Sequence, residues 1–68
     1  MNTYEMDYER GVCVWRYVDD GLLGVERLPL APMAQDGVST LVLAREVART
    51  GRPASVLTAV SGTWKGTD

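Results

Sequence analysis

Polar and apolar positions alternate one by one near the start of the chain. In TYEMDYE, residues 3 to 9, Tyr4, Met6 and Tyr8 fall on one side and Glu5, Asp7 and Glu9 on the other. That is the period of a strand with one buried face. Glu9, Arg10 and Gly11 then supply a turn, with a glycine suited to a left-handed position. The next run, VCVWRYV from Val12 to Val18, is β-branched or aromatic on both sides and broken only by Arg16, so it predicts the firmest strand in the chain. Asp19, Asp20 and Gly21 make a second turn. Leu22 to Leu28 follow as a third strand, in which Gly24 marks a bulge or a close approach.

Register decides what these strands do, because a one-residue slip moves every side chain of a strand to the other face. For the second hairpin, a loop of Asp19, Asp20 and Gly21 pairs Val18 with Leu22, Tyr17 with Leu23 and Trp15 with Val25, so that large apolar groups meet. A loop of Asp20 and Gly21 alone sets Trp15 against Glu26 and Val14 against Arg27; the three-residue loop is the expectation. The first hairpin leaves two registers open. A three-residue loop puts the tyrosines and Met6 beside Val12 and Val14. A two-residue loop groups them with Cys13, Trp15 and Tyr17 and pairs Glu5 with Arg16, but forces Arg10 to positive φ, which is costly for a residue with a side chain. In either case the central strand is apolar on both faces.

Pro29 and Pro32 in RLPLAPMAQDG end the hairpins in a loop. Asp36 or Ser39 can cap a helix of about three turns from Val38 to Thr50, closed by Gly51 and a following proline. At 100° per residue Leu41, Leu43, Ala44, Val47 and Ala48 share one side of it, and Val42, Arg45, Glu46 and Arg49 the other. ASVLTAVS, residues 54 to 61, alternates again and reads as a fourth strand, after which the tail is polar except for Trp64. The expected architecture is one α+β domain over residues 1–68, a three- to four-stranded antiparallel sheet with one helix on one face, in the order β-β-β-α-β.

Composition narrows the chemistry. The chain has 68 residues, one cysteine and no histidine. Internal disulfides, zinc fingers and Cys/His or Ser/His catalysis are thereby removed. The acidic residues sit on a strand face (Glu5, Asp7, Glu9) or in a turn (Asp19, Asp20), which builds neither a catalytic pair nor a magnesium site. No enzyme activity and no cofactor is expected. The N-terminus is acidic where a signal peptide would be basic, and no apolar run approaches a membrane span, so the expected location is cytoplasmic. Net charge is −2 and the sequence pI about 4.9, which argues against direct nucleic-acid binding, although Arg45, Arg49 and Arg52 along the helix offer a weak alternative. Cys13 reads as a small core hydrophobe, and Trp64 as either a clasp over the sheet or an exposed anchor.

What remains is a sheet with two apolar faces and one helix to cover them. The uncovered face should be a protein-binding surface, its aromatics serving as anchors and its acids as a rim. That face presents either Trp15, Tyr17, Leu23 and Val25 with Glu5 and Asp7, or Val12, Val14, Val18 and Leu22 with Arg16 and Glu26; the candidate partner-binding residues are Glu5, Asp7, Trp15, Tyr17, Asp19, Asp20, Leu23 and Val25. A homodimer that hides the patch against itself, or a structural accessory subunit, is the alternative. In size, acidity, lack of catalytic groups and α+β character the chain resembles the small inhibitor proteins of phages and mobile elements, such as the anti-CRISPRs. No motif carries that resemblance. It implies a protein partner that handles nucleic acid, such as a CRISPR effector subunit, whose target binding the inhibitor blocks.

Overall fold

Two tight turns set the sheet. In the computed structural model, which describes residues 1–29, 34, 36–53 and 62–68, β1 (Thr3–Glu9), β2 (Val12–Asp19) and β3 (Leu22–Leu28) form consecutive hairpins. Arg10 and Gly11 have φ of 55° and 80°, and Asp20 and Gly21 φ of 50° and 83°. Positive φ at both central residues defines the type I′ turn, whose twist matches that of the strands it joins.

Both loops therefore have two residues. In the first hairpin Tyr4 faces Tyr17, Met6 faces Trp15 and Tyr8 faces Cys13, one of the two registers open from the sequence. Its benefit is the assembly of the three tyrosines of β1 and β2, Met6, Cys13 and Trp15 on one face, against the cost of positive φ at Arg10. The second hairpin corrects the expectation: Trp15 faces Glu26, Val14 faces Arg27 and Tyr17 faces Gly24. Asp-Gly is a strong type I′ signal, and turn chemistry prevails over the apolar pairs that the longer loop would have made. Gly24 shows why the arrangement packs. A Cβ built there would overlap the Tyr17 ring, so the glycine is the space the ring occupies.

The helix α1 (Gly37–Thr50) begins where the sequence places it. Asp36 caps its N-terminus, its Oδ1 accepting from the Ser39 N–H at 2.7 Å, and this bond lowers the Asp36 pKa. Gly51, in the left-handed region at φ 76°, closes the other end by donating its N–H to the Val47 carbonyl at 2.8 Å. Leu43, Ala44, Val47 and Ala48 are buried and Leu41 half-buried, as their spacing predicts. Thr40 joins them because its Oγ1 donates to the Asp36 carbonyl at 3.0 Å, satisfying its hydroxyl.

A fourth strand, β4 (Gly62–Thr67), pairs antiparallel with β1 and gives the sheet the order β3-β2-β1-β4. The strand expected over residues 54–61 lies outside the described residues. The strand that pairs with β1 is instead the segment read as a polar tail, held by the ladder, by backbone bonds between Asn2 and Asp68, and by Trp64. The core lies between α1 and one face of this four-stranded α+β sheet, where Tyr4, Met6, Cys13 and Trp15 meet Ala44, Val47 and Ala48. No helix among the described residues is long and apolar enough to cross a membrane.

Candidate interaction face

The register assigns every strand residue to one of two faces. Tyr4, Met6, Tyr8, Cys13, Trp15 and Tyr17 point toward α1; Glu5, Asp7, Val14, Arg16, Val18, Leu23 and Val25 point away from it. The helix-free face is ordered in rows across the sheet. Leu23, Val18, Thr3 and Thr67 form one row, Val25, Arg16, Glu5 and Lys65 the next, and Arg27, Val14, Asp7 and Thr63 a third. Its apolar groups thus gather over β2 and β3 and its polar groups over β1 and β4.

Exposure separates this face from the core. Leu23 is 75% exposed, Val25 53% and Val12 42%. Single exposed aliphatics are ordinary, but Leu23 and Val25 neighbour one another along β3, and Val18 faces Leu23 from β2, so these three form a patch. Val12 stands apart from it, beyond the row of Arg27 and Val14. Charge is nearly balanced across it. Glu5, Asp7 and Glu9 on β1 lie beside Arg16 on β2 and Lys65 on β4, and Arg16 Nη1 donates to Asp7 Oδ2 at 2.5 Å. Both partners of that bond are substantially exposed, so it orients the side chains more than it stabilises the fold. The acids do not form the uniformly negative rim expected from the sequence.

The eight sequence-predicted residues divide accordingly. Glu5, Asp7, Leu23 and Val25 share the open face. Trp15 does not: it is 1% exposed and sits in the core, its ring 6.3 Å from that of Trp64 in an edge-to-face contact. Tyr17 is half-buried on the same side, and its phenol pKa is raised by burial and by the neighbouring Glu26 carboxylate. The proposed aromatic anchors are therefore core residues, because the shorter loop turns Trp15 and Tyr17 away from Leu23 and Val25. Trp64 is the clasp of the two readings, packed on the core over Gly66, where a Cβ would overlap its indole.

Asp19 and Asp20 serve a different purpose. Asp19 is only 5% exposed; it accepts from the Tyr4 hydroxyl at 2.5 Å and pairs with Arg49 Nε at 3.4 Å. A buried carboxylate is tolerable when it is bonded and paired in this way. Asp20 accepts from the Asn2 side chain, which in turn accepts from the Asp20 N–H at 2.9 Å. The turn is thereby tied to the chain start and to the end of α1, a role that no local sequence signal reveals. Burial and Asp19 together push the Tyr4 pKa up to about 12. Cys13, fully buried, is pushed up to about 11 by burial and by Asp7, so its thiol is inert at neutral pH.

Two of the helix arginines are engaged within the fold. Arg49 is held at Asp19 and Asp20, and Arg45 Nε lies 3.3 Å from Asp68. Phosphate contact by either would have to replace these pairs. Comparison with protein-family models, curated proteins and solved structures finds no match for the chain.

Proposed function

We propose that the chain is a non-catalytic, cytoplasmic protein-binding module that docks on a larger protein through the helix-free face of its sheet. The observation that carries this reading is the patch of Leu23 and Val25 with Val18 beside them, on the face opposite the core that α1 covers. Folding is served by the other face, so these aliphatics are available to a partner. Arg16, Arg27 and Lys65 alternate with Glu5, Asp7 and Glu9 around the patch and would fix orientation rather than attract a generally basic surface. That the partner handles nucleic acid, and that binding inhibits it, rests on the resemblance to anti-CRISPR-type inhibitors in size and character.

Capture from the native host with immobilised protein tests the reading. Wild type and a Val42→Lys variant, altered on the exposed side of α1, should retain the same partner. Val18→Lys combined with Glu5→Lys, altered on the open face beside Leu23, should lose it by about tenfold or more, as hot-spot disruption does, with an unchanged circular-dichroism spectrum. Equal retention by the open-face variant would place the docking surface elsewhere.

A further inference from the structure

We propose that β3 pairs edge to edge with the β3 of a second copy of this chain, antiparallel and centred on Val25, joining two sheets into one of eight strands. The register shows which backbone groups are available. The type I′ turn bond joins Asp19 and Leu22, and hydrogen-bonded pairs then alternate along the ladder. Leu22, Gly24, Glu26 and Leu28 face β2 with their N–H and C=O groups, while Leu23, Val25 and Arg27 direct theirs outward. Among the described residues β3 is an edge of the sheet. A row of three outward donors and three outward acceptors is a template for another strand.

Side chains at the same edge favour a second copy as that strand. Leu22 is 60% exposed, so the edge carries unburied aliphatics on both faces, with Leu23 and Val25 on the helix-free side. Antiparallel pairing about Val25 sets Val25 against its own copy, Leu23 against Arg27, Leu22 against Leu28, and Glu26 against Gly24. Every position of the seven-residue strand finds a partner, no like charges stand directly opposite, and the longer Glu26 side chain meets the residue that has none. Leu22–Leu28 contains no proline, no lysine and no bulge; its charges, Glu26 and Arg27, lie next to each other toward the end of the strand and leave Leu22 to Val25 uncharged. The net charge of −2 per chain opposes association only weakly. The seam is about 24 Å long. A seam one strand edge wide is smaller than the interfaces of about 1,200 Å² in total at which stable association begins, so the dimer should dissociate on dilution. Pairing would also make the two open-face patches continuous across the two-fold axis.

Sedimentation velocity over a concentration series is the test, on wild type, Val25→Pro, Val25→Lys and Val38→Lys. Proline at Val25 removes an N–H that points away from β2, so the hairpin ladder is preserved while the edge loses a donor. Lysine at Val25 places two cations at the symmetry axis. Wild type and Val38→Lys, changed on the exposed start of α1, should shift from 7.4 kDa to twice that mass as concentration rises. Both Val25 variants should weaken self-association by about tenfold or more, equivalent to about 1.4 kcal/mol, with unchanged far-ultraviolet spectra. A wild type that stays monomeric throughout, Val25 variants that dimerise like wild type, or loss of the dimer in Val38→Lys alone would each overturn the proposal.

Discussion

Trp15→Ala is expected to cost the fold a third or more of its stability. The indole is 1% exposed, faces Met6 across the ladder and meets Trp64 edge to face. Truncating a buried tryptophan to alanine costs about 3–5 kcal/mol, part of it from the cavity left behind. A domain of this size has a total stability of only about 3–10 kcal/mol, so one substitution removes a third or more of it. Urea unfolding followed by circular dichroism measures the effect. With a urea dependence near 1 kcal/mol per molar for so small a chain, the midpoint should fall by about 3 M, or the transition should vanish. Leu23→Ala, on the open face, should stay within about 0.5 kcal/mol of wild type. Similar small losses for both variants would mean that the indole is not in the core.

The second large effect is expected in alkali. Tyr4 ionises near 10 and Cys13 near 9 in an open chain, but the folded protein holds these protons to about 12 and about 11. Between those values the unfolded chain has released protons that the folded one retains, so stability falls as pH rises. The contribution of both groups is fully present below pH 9, starts to decline above it, and is gone above about pH 12. The two raised groups act in the same direction, and after solvent screening the loss is on the order of a few kcal/mol, a large part of the stability of so small a domain. Tyr17, raised in the same direction, adds to the loss. Alkaline titration by circular dichroism should show cooperative unfolding between pH 9 and 12, and Cys13→Ala should move its midpoint upward. A fold unchanged at pH 12 would mean that Tyr4 and Cys13 are accessible in the native state.

Much of this architecture is legible in the residues because local signals agree. Asp36, the spacing of Leu43, Ala44, Val47 and Ala48, and Gly51 all specify the same helix. The alternation of Tyr4, Met6 and Tyr8 likewise marks a face that proves to be buried or partly buried. Register was harder to read. Cross-strand apolar matching favours one loop length after Val18 and Asp-Gly turn chemistry another; turn chemistry prevails, and Gly24 accommodates the Tyr17 ring that it sets opposite. A single residue of slip moved Leu23 and Val25 to the opposite face from Trp15 and Tyr17. The aromatic half of the expected interaction surface thereby became core, and the aliphatic half became the surface. Asp19 was equally hidden: its partners, Tyr4 and Arg49, are distant in sequence, and a turn aspartate carries no mark of burial. The pairing of β4 with β1 depends on contacts made by Trp64 and the chain ends, not on a local apolar pattern.

The make-up of the open face depends on the β2–β3 register, and two-dimensional NMR reads that register directly. In an antiparallel pair without mutual hydrogen bonds the facing Cα atoms approach to about 4.5 Å, close enough for strong Hα–Hα cross-peaks. The structure requires such peaks between Val18 and Leu23, Arg16 and Val25, and Val14 and Arg27, together with contacts from the Trp15 ring to the α1 side of the core. Cross-strand contacts pairing Trp15 with Val25 and Tyr17 with Leu23 would instead restore the three-residue loop, return Leu23 and Val25 to the aromatic face, and remove the patch on which the proposed function rests.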